Sequence, residues 1–128
     1  MAFVRIQLFL AALAFAAPSG ATPSLRALSN WQPGQWQSSG GIGQASVSIC
    51  LQKPDALLLA GRPNSSCRFS TIQDAANAAV VTYQCTEGRQ GRTDLRRDTS
   101  ELYTVDAQGL EGGRPFAGRT EWQRIGAC

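Results

Sequence analysis

Four cysteines, Cys50, Cys67, Cys85 and Cys128, follow a leader-like N-terminus in this 128-residue chain, and they limit its fold more than any other feature. The N-terminus has one early charge, Arg5, an apolar run from Ile6 to Ala17, and then small residues up to Ala21. That is the build of a secretory signal cleaved near Ala21. The run is too short for a spanning helix, which needs roughly 20 apolar residues. An even cysteine count behind an export signal reads as two disulfides in a periplasmic or secreted protein. A zinc site is disfavoured, because there is no Cys-x-x-Cys and no histidine anywhere in the sequence.

The expected organisation is a signal over residues 1–21, a flexible lead-in over 22–30 and one disulfide-bonded β domain over 31–128. Without Arg5 the chain keeps 12 − 1 = 11 basic residues against nine acidic ones, a net charge of about +2. So slight an excess gives no electrostatic reason to expect nucleic acid as a partner, and the mature chain offers no membrane span.

The lead-in is polar, with few core candidates. Pro33-Gly34 is a turn dipeptide that feeds a strand carrying Trp36. The small residues from Ser38 to Gly43 suit a hairpin loop. From Ala45 to Leu51 apolar residues alternate strictly with Ser46, Ser48 and Cys50, the strongest strand signal in the chain. Pro54 to Ala60, with three successive leucines before Gly61, reads as a helix of about two turns.

Cys67 to Cys85 folds on paper as a hairpin. If the two cysteines oppose each other, Phe69 meets Tyr83 and Thr71 meets Val81, the kind of cross-strand pairs that stabilise a ladder. That register favours Cys67 with Cys85 and leaves Cys50 with Cys128; a Cys50–Cys67 staple around the helix is the rival arrangement. Arg92–Thr99 and Glu101–Ala107 read as strands, Gln108–Gly113 as a turn, and Pro115–Ile125 as the last strand. Phe116 and Trp122 share one face of it. The sum is a mainly β fold: an antiparallel, strongly twisted sheet or small open barrel of about six or seven strands with one short helix.

Without histidine, Ser-His-Asp and Cys-His hydrolysis are excluded. Carboxylate pairs are the surviving catalytic option, with Asp94, Asp98, Glu101 and Glu121 as candidates for a glycan hydrolase. Asp94 and Asp98 alternate with Arg92 and Arg96, however, which reads as a self-neutralising solvated face. Gly40-Gly41-Ile42-Gly43 lacks the following helix that a phosphate loop requires. The reading therefore names no catalytic residue, cofactor or metal. Trp31, Trp36 and Trp122 are the candidate surface for an envelope ligand or protein partner.

The Pro33-Gly34-Gln35-Trp36 opening, Cys50-Leu51 before a proline-led helix, the paired mid-chain cysteines and the closing Arg124-Ile125-Gly126-Ala127-Cys128 resemble a family without assigned function. Its members are small exported four-cysteine domains of Gram-negative bacteria. The resemblance spans the chain from about Trp31, although Gln123 stands where a second arginine is frequent and Gln52-Lys53-Pro54-Asp55 is a deviant lead to the helix. It implies export and the four-cysteine framework, and carries over no activity or site residues. The leading expectation is a non-catalytic domain that binds a partner or small ligand through a sheet face or edge. A sharper variant is an inhibitor of an envelope-attacking enzyme such as lysozyme: small exported β-barrels with a Tyr-x-Cys segment are used that way, and Tyr83–Gly88 is loosely similar to that segment.

Overall fold

The structure, a computed structural model, describes residues 22–40, 46–64 and 66–128. The expected leader and most of the glycine-rich loop after Ser39 lie outside the described residues. Seven strands form one antiparallel sheet: β1 (Gly34–Gly40), β2 (Val47–Leu51), β3 (Cys67–Asp74), β4 (Ala78–Cys85), β5 (Gln90–Thr99), β6 (Leu102–Glu111) and β7 (Arg114–Gly126). Their order is β2-β1-β7-β6-β5-β4-β3. The last five strands are a meander, and the β1–β2 hairpin is added beside β7. The end strands β2 and β3 do not pair, so the sheet stays open.

Strand alternation sorts the side chains onto two unlike faces. Val81, Leu95, Tyr103, Val105, Trp122 and Trp36 share the buried face. On the other side Arg92, Asp94 and Arg96 of β5 stand across from Gln108, Asp106 and Thr104 of β6. The buried face is covered by α1 (Asp55–Leu58) and a 3-10 turn, Arg26–Leu28. Leu57, Leu58 and Leu59 are all fully buried, because the short helix is wedged into the core instead of lying along it with one exposed flank. It is shorter than the two turns expected. Ala60 and Gly61 turn to positive φ, 54° and 80°, and the Gly61 N–H closes on the Ala56 carbonyl at 2.8 Å.

The lead-in departs from expectation. Leu25 and Ala27 are core residues. The Tyr103 hydroxyl donates to the Ala27 carbonyl at 3.2 Å, the Arg26 N–H to Asp74 Oδ1 at 2.8 Å, and the Thr22 hydroxyl to Asp55. The physical reason is that the sheet's apolar face exceeds what one short helix can cover. Two small patches of apolar side chain in an otherwise polar segment are enough to complete it.

The hairpin register is the expected one: Cys67 opposes Cys85, Phe69 opposes Tyr83 and Thr71 opposes Val81, with a bulge before Gln73. Both expected disulfides are present, Cys67–Cys85 and Cys50–Cys128. The first is buried within β3–β4; the second is exposed and ties edge strand β2 to the chain end beyond β7. The expected turn at Gln108–Gly113 shrinks to Gly112-Gly113, because β6 continues to Glu111. Gly109 is a strand residue facing Gly91. A Cβ on Gly109 would come within 2.1 Å of the Gln90 carbonyl oxygen, so its glycine serves close strand approach, not a turn.

Candidate ligand surfaces

The three tryptophans occupy different depths. Trp36 is wholly buried on β1, and its Nε1 donates to the Gln32 carbonyl at 3.0 Å. Trp31 is half-buried and stacks on it, ring centres 5.5 Å apart and 11° from parallel. Neither lines a cleft among those described below. Trp122 does: it is buried on β7, and its ring lies 3.7 Å from where a Cβ on Gly61 would stand.

That cleft, about 290 Å³, lies on the core side of the sheet under the chain leaving α1. Trp122, Val105 and Ala107 line it from the central strands, and Val47 and Ile49 from edge strand β2. Val47 and Ile49 stay 45% and 41% exposed, although Trp36, the neighbour of Ile49 on β1, has no exposed surface at all. At the mouth Arg62 and Glu111 form an ion pair of 2.7 Å, and both are well solvated. The edge position of β2 was not readable from alternation, which marks Val47 and Ile49 as apolar but says nothing of what covers them. Arg62 and Glu111 carry no local signal either.

The face away from the core holds a second, shallower depression of about 980 Å³ across β3 to β7. A smaller one of about 540 Å³ adjoins it and takes in Asp94, Asp106 and Arg119. Asp94 and Asp106 oppose each other across β5–β6. Each is engaged by an arginine: Arg92 Nε donates to Asp94 at 2.9 Å, and Arg119 grips Asp106 through Nε and Nη2 at 2.9 and 3.2 Å. Asp98 accepts from the Thr104 hydroxyl at 2.6 Å and from Arg96 at 2.9 Å. The Thr104 bond chiefly, with Arg96, holds the Asp98 carboxyl below its ordinary range, so it is ionised at neutral pH and a poor proton donor. Neither Asp98 nor Glu121 lines the depression that Asp94 shares. Glu101 reaches Arg124 at 3.8 Å at the β5–β6 turn. The alternating arginines and carboxylates thus satisfy one another, and the carboxylates proposed for hydrolysis are not gathered at one cavity.

Arg89 escaped the sequence reading. It is buried, donates to Glu87 and to the Pro63 carbonyl at 3.1 Å each, and approaches Cys67 Sγ at 3.6 Å. It therefore ties the loop after α1 to the β4–β5 turn beside the disulfide. Cys67, Cys85 and Glu87 bring ligand-type atoms within 4.8 Å, but both sulfurs are committed to their bond. In the Tyr83–Gly88 segment, Tyr83 and Cys85 are buried, and Gln84 and the turn from Thr86 to Gly88 reach solvent.

Fold and surfaces together define a small, open-sheet β domain, locked by two disulfides and offering two unlike depressions on its two faces. By sequence, residues 31–128 match the family described as "Protein of unknown function (DUF3617)", and the chain belongs to that family. No curated protein and no solved structure matches the chain. Among the described residues no helix is long and apolar enough to cross a membrane, and the paired cysteines fit an oxidising compartment.

Proposed function

We propose that this is an exported, non-catalytic domain that binds a small amphipathic molecule in the cleft beneath Gly61. The observation that carries this reading is the cleft itself, where Val47 and Ile49 remain 45% and 41% exposed beside the buried Trp122. Apolar surface left open next to a packed core is the common signature of a ligand site. Its volume, about 290 Å³, stands at the low end of the usual range for such sites, roughly 300–1,000 Å³. That suits one acyl chain or ring system with a polar head. The apolar part lies against Trp122 and Ile49, and the head reaches the Arg62–Glu111 pair at the mouth. Export is supported by the leader-like N-terminus together with the two disulfides.

Titration of the oxidised protein with dodecanoate, followed by tryptophan fluorescence and calorimetry, tests the reading. Saturable binding is expected, lost in Ile49→Lys, with hexanoate binding far more weakly. Absence of binding by the wild type, or equal binding by Ile49→Lys, rejects the cleft as the site.

A further inference from the structure

We infer that the face of the sheet turned away from the core is a second, independent binding site, for a carboxylate-bearing oligosaccharide. The depression of about 980 Å³ there is built by register. Across β4 to β7, Tyr83, Gly91, Gly109 and Phe116 stand in one row. Tyr83 and Phe116 turn their side chains to the core face and the two glycines have none, so on the outer face this row is bare backbone, the floor of the depression. On one side of it Ser70, Thr82, Arg92 and Gln108 are successive neighbours from β3 to β6. On the other, Arg68, Gln84 and Gln90 run on to Leu110 and Pro115.

The chemistry of these rows is specific. No aspartate or glutamate is among the residues lining the depression, whereas two arginines are. Arg92 shares its charge with Asp94, but Arg68 is exposed, and no ion pair engages it among the described residues. Guanidinium groups favour carboxylates, which they bind through paired N–H donors. Three glutamine amides and two hydroxyls offer both donors and acceptors in number, the complement of a ligand dense in hydroxyls. Pro115 and Leu110 close one end with an apolar platform that fits the C–H face of a sugar ring. An acidic peptide would meet the arginines but leave the amide-rich rows poorly matched.

The site shares no lining residue with the cleft beneath Gly61 except Phe116, so the two readings can fail separately. The test is calorimetric titration of the oxidised protein with tetragalacturonate, maltotetraose and hexa-aspartate. Tetragalacturonate is expected to bind, more weakly as salt rises, and Arg68→Ala and Arg92→Ala should each weaken it by about tenfold, the loss of one charge-assisted pair. Ser70→Glu places a carboxylate in the depression and should abolish binding without changing the thermal midpoint. Both arginines and Ser70 are exposed, so folding is not at stake. No binding of tetragalacturonate at millimolar concentration overturns the inference. So does unchanged affinity in the arginine variants, or binding of hexa-aspartate as tight as that of the sugar acid.

Discussion

Tyr83 combines a buried, unpartnered hydroxyl with a backbone it cannot escape: a Cβ on Gly91 would stand 2.6 Å from that oxygen. Such an orphan donor costs stability, of the order of 1 kcal/mol or more. Tyr83→Phe is therefore expected to raise the unfolding free energy by about 1 kcal/mol in urea titration. Gly91→Ala should lower it, since the new methyl meets both the hydroxyl and the Gln108 carbonyl at 2.8 Å. Burial also pushes the Tyr83 phenol above its usual 10.0, with Glu111 adding to the rise and Arg89 opposing it. Tyr103 is raised too, again by burial. The sign follows from proton counts: above pH 10 the unfolded chain sheds tyrosine protons that the folded chain keeps. Stability is thus whole below pH 10 and declines as pH climbs through the folded values. Asp98 acts in the opposite sense, its contribution being present above the ordinary carboxyl range and lost as pH falls through its depressed value. Ultraviolet titration of the tyrosines should show both ionising late, and Tyr83→Phe should lose less stability at alkaline pH than the wild type does.

Among the elements, those fixed by local alternation were legible, and those fixed by what packs against them were not. The Cys67–Cys85 hairpin follows from side-chain period and a bridge that must be opposed, so its register could be written from sequence alone. Tyr103, Val105 and Leu95 share a parity visible in the sequence, and all three lie in the core. Gly109, by contrast, reads as turn chemistry when seen alone; only its neighbour across the sheet, Gly91, explains it. The site was half legible. Trp122 was singled out and lines the cleft, yet the exposure of Val47 and Ile49 depends on β2 being an edge, a property of topology. The lead-in was missed because its contribution rests on two side chains, Leu25 and Ala27. Leu25→Ala is expected to cost about 2–5 kcal/mol, the range for emptying a leucine's place in a core. Removing residues 22–30 should cost at least as much, since it also strips the acceptor from the Tyr103 hydroxyl. Ile49→Lys, on an exposed edge, should fall within about 0.5 kcal/mol of wild type. Urea midpoints of the three variants check all of this, and a Leu25→Ala protein as stable as its parent would return the segment to a mere tether.

At the scale of the whole molecule the sheet has two free ends, and the disulfides are placed where an open sheet needs them. Cys67–Cys85 joins the two strands at the β3 end, and Cys50–Cys128 ties β2 at the other end to the chain terminus across β1. Their loops differ in length, with sequence separations of 18 and 78 residues. Loop-closure entropy then gives about 3 kcal/mol for the shorter and about 4.5 kcal/mol for the longer, relative to the reduced chain. Together these approach the whole stability of a typical domain, about 5–15 kcal/mol. Reduction should therefore be graded by bridge. The exposed Cys50–Cys128 bond is expected to yield first to a mild thiol reductant, leaving a folded protein with a lower midpoint and a β2 end that exchanges its amide protons faster. Reduction of the buried Cys67–Cys85 bond should follow only with global unfolding, because both sulfurs lie in the core beneath Arg89. Stepwise alkylation with mass spectrometry separates the two events. If Cys67 and Cys85 are labelled before Cys50 and Cys128 while the fold persists, the sheet is held by its packing, and the bridges are secondary.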